Sequence, residues 1–219
     1  VSDPPMKHRK DDRAAWLVST LISELQAARH KALLISPYFV PGNEGLDGFS
    51  AMSGRGVQVG VVTNSLAAND VAAVHGGYMG YRVPLLEAGV HLYELKAQGQ
   101  SGDAGVFGSS GASLHTKAFL VDDRRGFVGS FNLDPRSAYL NTEMGVLFDD
   151  PVLGAQLRDE YLRLADPRHS WWLALDDRRR LRWLEREPPP HWVEAEPGAT
   201  ARKRWLSRVI SWLPVESQL

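Results

Sequence analysis

The sequence predicts an α/β domain whose mixed, mostly parallel sheet is flanked by helices. Three observations carry the prediction. Short apolar runs at 32–35, 57–63 and 90–95 read as buried strands. The stretches between them, 44–54 and 70–89, are long enough for crossover helices. Ahead of the first run, Ala14, Leu17, Val18, Leu21, Ile22, Leu25 and Ala28 recur at helical spacing.

Residues 1–10 are polar and proline-bearing and read as a linker. Asp11 and Asp12 sit where carboxylates favour the start of the helix that follows. The 32–35 strand stops at Ser36-Pro37, and the Gly/Ser-rich stretch 99–113 reads as a loop. Two close strands follow at 114–121 and 126–130, joined by a charged turn, and a third at 143–148. Pro151 opens a helix with Leu153, Leu157, Tyr161 and Leu164 on one face. The reading is one domain over 11–168 and a helical tail over 169–219. That tail holds Trp171, Trp172, Trp183, Trp192, Trp205 and Trp212 interspersed with arginines, and Pro188-Pro189-Pro190 divides it.

With 219 residues and 43% hydrophobic content, the chain can bury a substantial core. Lys+Arg 25 against Asp+Glu 26 leaves no basic excess, which weighs against a surface devoted to nucleic acid. Cysteine is absent, so thiolate catalysis, disulfides and cysteine-bound zinc are excluded. No apolar run approaches the roughly 18 residues that span a bilayer. The opening Val1-Ser2-Asp3-Pro4-Pro5 has neither an initiator Met nor a signal pattern, so the chain reads as a piece of something longer.

The chemistry concentrates after residue 113. His115 and Lys117 are two apart in a strand pattern, so alternation predicts that both side chains share a face. An imidazole beside an ammonium suits phosphodiester transfer: the imidazole attacks phosphorus and the ammonium offsets charge on the non-bridging oxygens. Ser130 and Asn132 share parity at the end of the next strand, and both carry donors for phosphate oxygens. Gly129 lets the backbone approach closely. No histidine pair has metal-ligand spacing such as H-x3-H, so neither a metal nor another cofactor is expected.

The string His115-x-Lys117-x4-Asp122-x6-Gly129-Ser130-x-Asn132 resembles the complete His-Lys-Asp motif of the phospholipase D superfamily. Three surrounding segments resemble bacterial cardiolipin synthases of that superfamily, the type C branch above all. They are 36–42, 63–68 with Asp70 and His75, and 131–137 with Asn141-Thr142-Glu143. The run 204–214 is similar to the C-terminus of that branch.

The resemblance implies a phospholipase D-like fold and assigns roles. His115 would be the nucleophile that forms a phosphohistidine, or the acid that protonates the leaving oxygen. Lys117, Ser130 and Asn132 would hold the phosphate, and Asp122 would be a structural and electrostatic support. Glu143 would hydrogen-bond the catalytic imidazole, and Tyr38 and His75, with Tyr78 and Arg82, would line the headgroup site. The superfamily builds one site from two such motifs and this chain has one, so a missing amino-terminal half or a second copy is implied as partner.

The implied reaction is phosphatidyl transfer to give cardiolipin at a peripheral location on the cytoplasmic face of the bacterial inner membrane. A lipid hydrolase, a nuclease and a non-catalytic membrane-docking module are the rival readings. In the tail, the apolar stripe Trp205, Leu206, Val209, Ile210 and Leu213 with Arg202, Lys203, Arg204 and Arg208 suits either an anionic membrane surface or a cover for the core.

Overall fold

The computed structural model describes residues 1–5, 7, 13–69, 71–97, 114–185 and 189–211. Asp11, Asp12, Asp70, the 99–113 loop, Pro188, Trp212 and Leu213 lie outside the described residues.

A 3₁₀ turn at Arg13–Ala15 leads into α1 (Leu17–Gln26), which buries Leu17, Leu21 and Leu25. The alternation predicted from the sequence follows: β1 (Lys31–Ile35), α2 (Gly42–Gly54), β2 (Gln58–Asn64), α3 (Ala72–Met79), α4 (Arg82–Glu87) and β3 (His91–Leu95). Next come β4 (Lys117–Val121), β5 (Arg125–Gly129), α5 (Pro135–Tyr139), β6 (Gly145–Asp149) and α6 (Pro151–Ala165). The chain then runs through β7 (Ser170–Leu175), β8 (Leu181–Glu185), β9 (His191–Val193) and α7 (Ala201–Ile210).

Among the described residues nine strands form one sheet in the order β6-β5-β4-β1-β2-β3-β7-β8-β9. The fold is the mixed α/β sheet with flanking helices that the sequence predicts, but its pairing is mostly antiparallel rather than mostly parallel. Parallel pairing is confined to β1–β2 and β2–β3, the strands joined by helical crossovers; the other neighbours are antiparallel. The turn between β4 and β5 is too short for a crossover, so those strands must run in opposite directions. Asp122 and Asp123 stand in it at φ of 50° and 56°, a region aspartate enters more readily than most residues.

β1 and β2 are buried on both faces, as central strands should be. On one face Leu34, Val59, Val61 and Phe119 pack with Leu21, Phe49 and Met52 of α1 and α2. On the other, Leu33, Ile35, Val62 and Leu120 meet Tyr161 and Leu164 of α6. That helix is capped by the Asp150 carboxylate, which accepts from the N–H groups of Val152 and Leu153. It lies so close to β2 that a Cβ at Gly60 would stand 2.1 Å from the Tyr161 hydroxyl.

Two further expectations change. The segment 169–219 is not helical throughout: β7, β8 and β9 extend the sheet beyond β3, and among the described residues only α7 is a helix. Aromatic side chains fit a pleated surface, and Trp172 pairs across the ladder with Tyr93 while the Trp183 indole N–H donates to Glu94 Oε2 at 2.8 Å. Nor do the first residues behave as a solvated linker, since Asp3 and Lys7 are buried.

Candidate active site

Strand direction gathers the predicted residues at one end of the sheet. β1 and β2 finish there, at Ile35 and Asn64, and the antiparallel β4 starts there at Lys117. Lys117 pairs with Gly129 at the end of β5, and Gly129 with Gly145 at the start of β6. Ser130, Asn132 and Glu143 flank these ends, and Tyr38 follows β1 at the same end, half-buried.

His115 lies just before β4 rather than inside it, so strand alternation does not govern its relation to Lys117. What joins the two is a hydrogen bond from the Lys117 ammonium to the His115 carbonyl, 2.7 Å. His115 is exposed and Lys117 partly so, and both therefore reach solvent at the sheet edge. The preceding residue is fixed by Asn64, whose Oδ1 accepts from the Leu114 N–H (3.0 Å) while its Nδ2 donates to the Leu114 carbonyl (3.4 Å). Partial burial lowers the Lys117 pKa below that of an ordinary lysine; the charges of Glu143 and Asp134 act against that shift without cancelling it.

Glu143 is buried, but its donors are not those the resemblance implied. Its carboxylate accepts from the hydroxyls of Ser130 and Ser137 (3.0 Å for the latter) and from Asn141 Nδ2 (3.2 Å). Ser130 Oγ in turn accepts from the Met144 N–H at 3.0 Å. The Ser130 proton is thus committed to Glu143, and a phosphate would have to displace that bond to receive it. Asn132 is buried, with its N–H donating to Ser137 Oγ (3.3 Å) and its Oδ1 lacking a hydrogen-bond partner among the described residues.

Gly129 is required for packing. A Cβ there would lie 2.4 Å from the Met144 carbonyl and 2.5 Å from the Phe127 ring.

Two predicted residues stand elsewhere. Asp122 occupies the far end of β4, about 16 Å from Lys117 at the usual rise per residue. Its carboxylate accepts from the N–H groups of Arg29, His30 and Lys31, tying β4 to the entry of β1. Burial alone would raise its pKa, yet these three donors hold it below the usual value. His75 is fully buried on α3, 3.5 Å from Glu196 and edge-on to Tyr78. It belongs to a buried ionic cluster in which Arg82 bridges Glu94 (3.1 Å) and Glu196 (2.6 Å). Its neighbours make it part of the seal between core and tail rather than a headgroup contact.

The sequence reading missed the support beneath Glu143. Asp3 and Glu143 exchange backbone and side-chain bonds: the Asp3 N–H donates to the Glu143 carbonyl (2.8 Å), and the Glu143 N–H to Asp3 Oδ2 (2.9 Å). Lys7 Nζ meets Asp3 Oδ2 at 2.7 Å and the carbonyls of Ser137 and Asn141 at 2.8 Å each. The opposite charges four apart were a visible hint, but their destination, far along the chain, was not. Among the described residues no group of three or more His, Asp and Glu is placed to hold a metal ion. This end of the sheet thus carries the exposed His115, the partly exposed Lys117 and the buried Asn132, beside the Ser130–Glu143 pair.

The family described as "Cardiolipin synthase, PLD-like domain" matches residues 21–165. Cardiolipin synthase C of Escherichia coli is 41% identical over 99% of this chain and 47% of its own length. The chain thus spans about half the length of that curated relative. Among solved structures, a phospholipase D family member, Nuc, from Salmonella typhimurium superposes with a TM-score of 0.55 at 16% identity, covering 70% of this chain and 88% of that one. NucT from Helicobacter pylori gives 0.53 at 20% identity over 73% and 89%. Those two likenesses establish the fold, and the family match with the 41% relative establishes kinship: the chain belongs to the phospholipase D-like domain family of cardiolipin synthases.

Proposed function

We propose that this chain supplies one half of the active site of a phosphatidyl transferase that makes cardiolipin through a phosphohistidine. What supports the reading is that His115, Lys117, Asn132 and the Ser130–Glu143 pair all lie at the same end of the sheet. In the first step one imidazole attacks phosphorus, the bond to the donor's headgroup oxygen breaks, and a second imidazole protonates that oxygen. In the second, a hydroxyl of phosphatidylglycerol gives its proton to that second imidazole and displaces the histidine. His115 is one of the two imidazoles, and the other comes from a second half, either preceding this one in a longer chain or contributed by a second copy. Lys117 holds the non-bridging oxygens throughout, where its charge counts most in the transition state.

Among the described residues no helix is long and apolar enough to cross a membrane, and the proposed location is peripheral, on the cytoplasmic face. The test is product analysis with the full-length enzyme, offered phosphatidylglycerol alone or with phosphatidylethanolamine. Cardiolipin is the expected product. Phosphatidic acid alone would assign a hydrolase, and cleavage of DNA but not lipid a nuclease.

A further inference from the structure

Helix α7 is mounted with its polar side inward. Ser207 is fully buried, and the contact with α3 is close: a Cβ at Gly76 would lie 2.9 Å from the Ser207 carbonyl and 3.1 Å from Ile210 Cγ2. The Lys203 ammonium donates to the carbonyls of Ala67 (3.3 Å) and Asn69 (3.1 Å), and Arg204 to that of Glu196 (3.5 Å). The outward side carries Trp205, 66% exposed, and Leu206, 39% exposed. Arg202 and Arg208, both exposed, stand three residues before and after the indole and so lie beside it on the helix surface. The helix holds four cations and no carboxylate. A helix serving only the fold buries its apolar stripe and exposes its charges; this one reverses the arrangement at Trp205.

We infer that the Trp205–Leu206 face, flanked by Arg202 and Arg208, docks the enzyme onto an anionic lipid surface. An indole seats well at the boundary between headgroups and acyl chains, while flanking guanidiniums meet lipid phosphates. Two outward guanidiniums, Arg202 and Arg208, on a helix without a carboxylate complement such a surface better than a protein face of mixed charge. The placement also serves the proposed reaction, and the inference rests on that reading for its biological sense. Lys203 grips the loop after β2, so α7 sits toward the sheet end that carries Lys117 and Ser130. Docking there brings that end toward the bilayer that holds the substrate.

The test uses the full-length enzyme with sedimentable vesicles of phosphatidylcholine alone or mixed in equal parts with phosphatidylglycerol. Wild-type enzyme is expected to sediment with the mixed vesicles. Trp205→Ser with Leu206→Ser, or Arg202→Glu with Arg208→Glu, is expected to lower that partitioning by about tenfold or more. Transfer measured on lipid dispersed in detergent micelles should be retained. Trp205→Phe, which preserves the helix, should abolish most of the fluorescence quenching that brominated lipid causes in the wild type. Undiminished sedimentation of both double variants, equal binding to the neutral vesicles, or quenching that survives Trp205→Phe would overturn the inference. So would a change from dimer to monomer in the variants with vesicle binding intact, which would give the face to a second copy. Absence of cardiolipin from wild-type enzyme in micelles, with vesicle binding intact, would instead sink the proposed reaction and leave the docking face standing.

Discussion

Lys117 and Asp122 share a motif but stand at opposite ends of β4 and work on different problems. Partial burial lowers the Lys117 pKa, so the side chain loses its charge at a lower pH than an ordinary lysine. Folding therefore carries a small cost while this lysine is charged, and the cost fades as pH rises from the lowered value toward 10.5. Activity has the opposite dependence, because only the ammonium can hold a phosphate. The kcat/KM of the full-length enzyme should fall on an alkaline limb set below the usual lysine range. Lys117→Arg should remove that limb, and Lys117→Ala should cost on the order of 10²–10³-fold at neutral pH. Asp122, tied to three backbone N–H groups, is expected to act on stability alone. Asp122→Ala should lower stability by about 1–2 kcal/mol through those lost bonds while leaving kcat unchanged, as read from a urea midpoint beside a transfer assay. Because the Asp122 pKa is depressed in the folded state, its contribution is full above 3.8 and is lost as pH falls through the lowered value.

At the scale of elements, the pairing of β5 with β6 shapes the site, since it sets Ser130 beside Glu143 and Met144. Gly129 makes that pairing possible. Gly129→Ala should destabilise the protein by about 1–3 kcal/mol and lower kcat, because Ser130 moves with the displaced strand. A thermal midpoint and a single-turnover rate would measure the two effects separately. Elements with strong local signals were legible in the sequence: β1, β2 and β3 as apolar runs, and α6 from its proline start and one-sided leucines. His115, Lys117, Ser130, Asn132 and Glu143 were legible as candidates because motif spacing survives without coordinates. What stayed hidden depends on contacts distant in sequence. β7 becomes a strand by pairing with Tyr93 and Glu94, β8 and β9 build outward from it, and the partners of Glu143 include Ser137 and, through its backbone, Asp3. The burial of Lys7 likewise requires the loop around α5 to close over it.

At the scale of the molecule, the sheet ends beside the site in β6, whose outer side is paired at its start with Val1 and Ser2. β6 is the edge of the sheet, and its Val146 faces Val128 across the ladder with 65% and 46% exposure, next to Met144 at 65%. An apolar edge invites pairing or coverage, and this one borders a site with the proposed phosphate-binding set but a single motif imidazole. Phosphoryl displacement at neutral pH needs a proton donor for the leaving alcohol as well as a nucleophile, and a positioned acid is worth about 10²–10⁴-fold. The two deficits have one remedy if the second half of the enzyme covers this edge and brings its own histidine. The 219-residue chain alone should then transfer phosphatidyl groups at least about 10²-fold more slowly than the full-length enzyme. In the full-length enzyme, Val146→Glu should depress kcat while leaving the helical and strand content by circular dichroism unaltered, because the side chain faces the partner and not the core of this half. Full activity of the isolated chain, independent of its concentration, would mean that His115 needs no second imidazole. Activity rising with the square of chain concentration would assign the second imidazole to another copy of the same chain.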